Sequence, residues 1–135
     1  MPGSGETLIQ TWLRETLESA TGCDAWPLLG PAGDPPYLMF SQAGQADEDT
    51  LAADSETLTT GTFTVEVYGA TYTEAHELAL ACRRELRNFA GASGDLTIAR
   101  VLIVDSKDSD PVFEEGQNKP FAYVVELTLS ISWME

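Results

Sequence analysis

The residues with the chemistry for catalysis or ligand binding are few: one histidine, two cysteines, a run of carboxylates between residues 43 and 60, and three closely spaced arginines. A hydrolase or transferase needs a nucleophile with its base, a metal cluster or a phosphate cradle. His76 sits near the start of a predicted helix on its polar side and reads as a surface residue. Cys23 and Cys82 have neither metal-type nor redox-type spacing. The segment "GSGETL" has the glycines of a phosphate loop, but no strand precedes it and no lysine follows, so residues 1–5 read as a flexible tail. The carboxylates Asp47, Glu48 and Asp49 invite a calcium test. An EF-hand loop starting at Asp47 needs a polar ligand where Leu51 stands, glycine at Ala52 and glutamate at Leu58, and fails at all three. "DSKDSDP" at 105–111 fails too, on Lys107 and Val112. We therefore expect no catalytic residue, no cofactor and no structured metal site; the chain is not expected to be an enzyme.

Charge is the largest compositional signal. With 22 acidic against 7 basic residues the formal net charge is -15. Such a surface repels nucleic acid and anionic membranes, so direct nucleic-acid binding is not expected. The charge serves either solubility or the repulsion of a polyanion that must pass nearby without sticking. Arg83, Arg84 and Arg87 form the basic cluster. Two readings fit it: half of a subunit contact with the acidic segment of a neighbour, or a solvated helix face with local ion pairs to Glu77 or Glu85.

The elements that must position these residues follow from hydrophobic period. The 135 residues make one domain, able to bury roughly two thirds of the surface of its unfolded chain without metal or disulfide. No segment approaches the ~18 consecutive apolar residues of a membrane span, and "MPGSGETLIQ" has neither the basic nor the apolar run of a signal peptide. A reducing compartment is expected, with Cys82 a small core residue. Leu8, Ile9, Trp12, Leu13 and Leu17 predict a helix from Glu6 to about Ala20, with Ser4 as N-cap and Gly22 as stop. "GCDAWPLLGPAGDPP" reads as an irregular connector, and "PYLMFSQ" as a short strand. Residues 43–60, carrying Asp47, Glu48, Asp49, Asp54 and Glu56 without a basic residue, read as a long mobile acidic loop. Phe63, Val65 and Val67 alternate as a strand, and Ala75, Leu78, Ala79, Cys82, Leu86 and Phe89 form the stripe of a second helix capped by Thr73.

"DLTIARVLIVDS" and "FAYVVELTLSISW" predict two more strands, separated by the polar "KDSDPVFEEGQNKP". The order α-β-β-α-β-β predicts an α+β domain in which two helices pack on one face of an antiparallel sheet of about four strands. The last strand, Phe121 to Trp133, would run ~44 Å at ~3.4 Å per residue. It is expected to outrun the helices and to leave hydrogen bonds open for another subunit.

The run "PPYLMFSQ", then a long polar loop, "TFTVEVYGATYTEAHELALACRREL", a strand and finally "YVVELTLSISW" resembles the tail-terminator and tail-completion proteins of long-tailed bacteriophages, small head-tail joining proteins. The likeness covers about Pro35 to Trp133, and the motif is one of small, apolar and turn residues without a catalytic group. The resemblance implies a homo-oligomeric ring, typically a hexamer, that caps the head-proximal end of the tail tube and stops its polymerisation. The implied partners are the tail tube protein and a head-completion or neck protein, and the implied place is the virion neck. DNA would pass through the ring without specific binding. Asp47, Glu48, Asp49, Asp54, Glu56, Arg83, Arg84 and Arg87 are then the expected subunit or tail contacts. Another neck component, a head-closure or adaptor protein, fits the same order of elements. An acidic DNA-mimic inhibitor fits less well, because five of its carboxylates would sit in a mobile loop.

Overall fold

In the computed structural model, residues 7–27, 34–48, 58–87, 89–113, 116 and 120–134 are described. Helix α1, Leu8–Thr21, forms because Ile9, Trp12, Leu13 and Leu17 recur at helical spacing, and all four are buried. Its cap is Thr7, not the predicted Ser4, which lies outside the described residues. The Thr7 hydroxyl accepts from the Gln10 N–H at 3.3 Å, and the Gln10 side-chain oxygen accepts from the Thr7 N–H at 3.2 Å. At the far end Gly22, at φ 72°, closes the helix by donating its N–H to the Glu18 carbonyl at 2.8 Å.

The predicted order is corrected to α-β-β-β-α-β-β-β, and the antiparallel four-stranded sheet to a curled mixed sheet of six. After α1 come β1 (Ala25–Pro27), β2 (Tyr37–Glu48), β3 (Leu58–Gly69), helix α2 (Tyr72–Arg87), β4 (Gly91–Ser93), β5 (Leu96–Phe113) and β6 (Pro120–Met134). In space the strands run β1-β2-β3-β6-β5-β4. β1 lies parallel to β2, Ala25 to Pro27 against Leu38 to Phe40, which makes the sheet mixed; every other pairing is antiparallel. The connector and the turn after α2 thus each hold a three-residue strand. The expected loop at 43–60 is also cut back, since 43–48 belong to β2 and 58–60 to β3. Residues 49–57, with Asp49, Asp54 and Glu56, lie outside the described residues, as does the 1–5 tail. The polar stretch expected to separate the last strands is paired with β6 as far as Phe113.

Both helices pack on one sheet face. Ile9, Trp12, Leu13, Leu17, Ala75, Ala79, Cys82 and Leu86 meet Leu38, Phe40, Phe63, Val65, Val67 and the Val125, Leu127, Leu129, Ile131, Trp133 row of β6. Fully burying each large apolar side chain contributes ~1.5–3 kcal/mol, and edge-to-face aromatic pairs such as Trp12 with Phe89, 4.9 Å between centroids, add to it. On the opposite face a smaller cluster buries Tyr68, Ala122 and Val124 beside Tyr37, Met39 and Phe121.

The strand-to-helix turn that links β3 to α2 is tight. A Cβ on Gly69 would stand 2.4 Å from the Ala75 nitrogen and 2.8 Å from its Cα. Only glycine lets α2 start so close to the strand end. Thr71, rather than the predicted Thr73, caps α2: its hydroxyl accepts from the Glu74 N–H at 3.0 Å, while the Glu74 carboxylate accepts from the Ala70 N–H at 2.7 Å.

Candidate subunit interface

Among the described residues the sheet has two open edges, and neither belongs to β6. β6 pairs with β3 from Tyr123 to Trp133 and with β5 from Pro120 to Met134, so its hydrogen bonds are satisfied on both sides. The expectation of a projecting last strand is corrected accordingly. The open edges are those of β5, where β4 covers only Leu96 to Ile98, and β2, where β1 covers only Leu38 to Phe40. β5 also exposes large apolar side chains along its length, Leu102, Val104, Val112 and Phe113. Irregularities between Ile98 and Arg100, Ile103 and Asp105, and Ser109 and Val112 interrupt it, a device that limits indiscriminate edge pairing.

Beside that edge, α2 and β5 enclose a groove of about 460 Å³ lined by Arg83, Arg87 and the Val101–Ser106 segment. Arg83 and Arg87 are four residues apart and so share one side of the helix. Arg83 is half-buried, and its Nε is buried without a hydrogen-bond partner. Arg84 is exposed and does not line the groove. Among the described residues no ion pair engages these three arginines, whereas Arg14 pairs with Glu18 at 3.2 Å and Lys107 with Glu126 at 3.8 Å. The local pairing to Glu77 or Glu85 is thus not formed. Of the acidic contact residues, Asp47 and Glu48 end β2, opposite Thr59 and Leu58 of β3. The structure does not bring them to the arginines of the same chain: β2 and β5 lie on opposite sides of the β3–β6 pair.

The helix-free face carries a second polar constellation. Glu66 of β3 and Glu126 of β6 are directly opposed partners, flanked along their strands by Thr62, Thr64, Thr128 and Ser130. Burial first, and then the Glu126 charge, hold the Glu66 carboxyl above the usual carboxylate range. Beside it, burial and the neighbouring Glu66 and Tyr37 push the Tyr68 hydroxyl up to about 12. Tyr37 and Tyr68 stack at 4.7 Å between centroids.

A third constellation was invisible in the sequence. Asp108 of β5 accepts from the Tyr72 hydroxyl at 3.0 Å and lies 2.7 Å from His76 Nε2. Tyr72 and His76 also pack against each other, 4.4 Å between centroids. The hydrogen bond to Asp108 and its charge raise the Tyr72 hydroxyl above its ordinary range. His76 is exposed, as expected, yet it is engaged: both Asp108 oxygens are occupied from α2, so the group acts as a clamp between the start of α2 and the outer half of β5. Only the pairing of β5 as a strand, which polar residues 105–111 did not advertise, brings the three together. Among the described residues no group of three or more His, Cys, Asp or Glu could hold a metal ion, and no helix is long and apolar enough to cross a membrane.

No protein-family description matches the chain, and neither does any curated protein. Among solved structures the chain resembles one from the virion of a native gene transfer agent particle, with a TM-score of 0.54 at 16% identity over 88% of this chain and 84% of that one. The two share a fold.

Proposed function

We propose that the chain is a structural protein of a phage-like virion, and that its copies close into a ring at the head-proximal end of a tail tube, where they end tube growth and join tail to head. The likeness of fold to a chain of a gene transfer agent virion over 88% of the sequence carries the reading. The sequence motif from Pro35 to Trp133 supports the finer tail-terminator role. A ring requires two different complementary surfaces on each subunit, and the two open sheet edges supply candidates. The role needs no catalytic group. It also suits the charge: a channel bordered by carboxylates lets DNA pass without holding it, and Glu66 and Glu126 on the helix-free face are suited to such a lining. Partners would be further copies of the chain, a tail tube protein and a neck or head-completion protein.

Native mass spectrometry over a concentration series, with and without Mg²⁺ to neutralise carboxylates, tests the ring. We expect one closed oligomer, a hexamer, that sharpens when Mg²⁺ is present. A chain that stays monomeric throughout, and does not bind purified tail tubes, would overturn the reading.

A further inference from the structure

The two open edges differ in charge. Before position 83 the chain has thirteen acidic residues and one arginine, Arg14; from 83 onward it has nine acidic and six basic residues. β2, on the first side, ends in Asp47 and Glu48 and is followed in sequence by Asp49. On the other side stand Arg83 and Arg87, without ion-pair partners among the described residues, over a groove floored by β5. Among the described residues β1 borders β2 only from Leu38 to Phe40, and β4 borders β5 only from Leu96 to Ile98.

We infer that the α2–β5 groove is the acceptor surface for a second copy of this chain, which inserts the acidic end of its β2, Gln45 to Glu48, beside β5 and under Arg83 and Arg87. This deepens the ring reading and rests on it. Four features select this occupant. The groove presents two cations against one carboxylate, Asp105, in a strongly acidic protein, so its net charge favours an anionic ligand. It runs along an open strand edge, so the ligand is extended backbone. The Arg83 Nε–H is withdrawn from water without an acceptor, and a carboxylate or carbonyl entering the groove supplies one. The same chain carries an open-edged, acid-tipped strand on its far side, and joining unlike surfaces in this way leaves one of each free on every pair, so the contact propagates until it closes. The exposed Leu102 and Val104 in the groove's lining would be covered in the same step. The irregularity between Ile103 and Asp105 confines regular pairing to a short stretch, which makes the arginines the register-setting element.

The test uses charge reversal with a swap, read by native mass spectrometry over a concentration series, with thermal melts to establish that every variant is folded. Arg83→Glu with Arg87→Glu is expected to raise the concentration for half-assembly by roughly 30-fold or more. Arg84→Glu, a single reversal at an exposed arginine outside the groove, is expected to leave it within about twofold, less than either Arg83→Glu or Arg87→Glu alone. Combining the double reversal with Asp47→Lys and Glu48→Lys in one chain is expected to restore assembly. As a second readout, Leu102→Cys and Gln45→Cys chains, each in a Cys23→Ser background, should cross-link through a short bis-maleimide when mixed and not when either is alone. If the wild type assembles and the folded double reversal assembles equally well, the groove is not the acceptor, although the ring stands. If the wild type itself never assembles, alone or with purified tail tubes, the ring reading fails and takes this inference with it.

Discussion

Replacing Gly69 with alanine puts a single methyl group into the β3–α2 turn. The added Cβ would meet the Ala75 nitrogen at 2.4 Å, its Cα at 2.8 Å and its Cβ at 3.0 Å. Carbon atoms prefer separations of about 3.5–4.0 Å, so the first contact asks for a displacement of the order of 1 Å. The atoms met belong mainly to the backbone of a helix first turn and cannot swing aside as a side-chain tip can. That first turn is itself held, by the Thr71 cap, the Glu74 bond to Ala70 and the clamp through Asp108. Overpacking of this kind costs ~1–3 kcal/mol, and the rigid target puts Gly69→Ala at the upper end. Against it stands a gain of ~0.4–1 kcal/mol from the lower entropy of the unfolded chain, since the Gly69 backbone does not need a left-handed conformation. The net expectation is a loss of about 2 kcal/mol, or several degrees in Tm for a domain of this size. Urea denaturation followed by far-UV circular dichroism measures it. Gly44→Ala is the control: nothing lies within 4 Å of its Cβ position, so its stability should not fall by a comparable amount. Gly69→Ala at or above wild-type stability would refute the steric argument and mean that α2 can slide along the sheet at little cost.

Three further outcomes are expected. Glu66 has a raised folded-state pKa, so its contribution to stability is present below the unfolded carboxylate range and is lost as pH rises through the folded value. Glu66→Gln should therefore stabilise at neutral pH by ~0.2–1 kcal/mol, the scale of an opposed like-charge pair, with the advantage fading near pH 3.5; a variant less stable than wild type in urea at pH 7 would contradict this. Leu129 is fully buried between Phe63 and Ile103, so Leu129→Asp should cost several kcal/mol and abolish the cooperative thermal transition, while a soluble, cooperatively melting variant would place the core elsewhere. Burial pushes the Cys82 thiol up to about 12, whereas Cys23 is only half-buried. Intact-mass analysis after thiol labelling should show one modification on the native protein and a second only under denaturing conditions; two native modifications would mean that α2 opens readily.

Sequence alone revealed those elements whose one face is buried along most of its length. The row from Val125 to Trp133 alternates because helices cover one side of β6, and α1 and α2 betray themselves by their stripes. β1 and β4 could not be read, because three residues complete no period and each gains its identity from the strand it borders. The outer half of β5 was hidden for a different reason. From Val104 to Phe113 nearly every side chain is exposed, so the backbone is paired while the side chains carry no hydrophobic alternation. The last residues of β2, Gln45 to Glu48, are likewise paired with β3 although their sequence shows no hydrophobic alternation. At the candidate interface, the arginines were visible as a cluster through their spacing on one helix, but the groove they line is made of β5 backbone. The Glu66–Glu126 opposition depends on strand register, and the Asp108 clamp joins residues 32 and 36 positions apart; no local pattern reports either.

The placement of β6 between β3 and β5 bears on how the chain reaches its native state. β6, the last of the described strands in sequence, joins the two halves of the sheet: Thr59 meets Trp133, and Gly69 meets Tyr123. Until Pro120–Met134 has left the ribosome, β3 lacks one neighbour, β5 lacks its long partner, and the apolar faces of α1 and α2 have only part of a floor. Contacts of such large sequence separation place folding among the slower, non-local class. For that interval the nascent chain displays unpaired strand edges, the kind of surface through which intermediates associate prematurely. Its thirteen carboxylates against one arginine in the first 82 residues mean that neighbouring unfinished chains repel one another. The groove beneath Arg83 and Arg87 takes shape only when β5 settles against β6, so the acceptor surface proposed above forms late, after the earlier strands are in place.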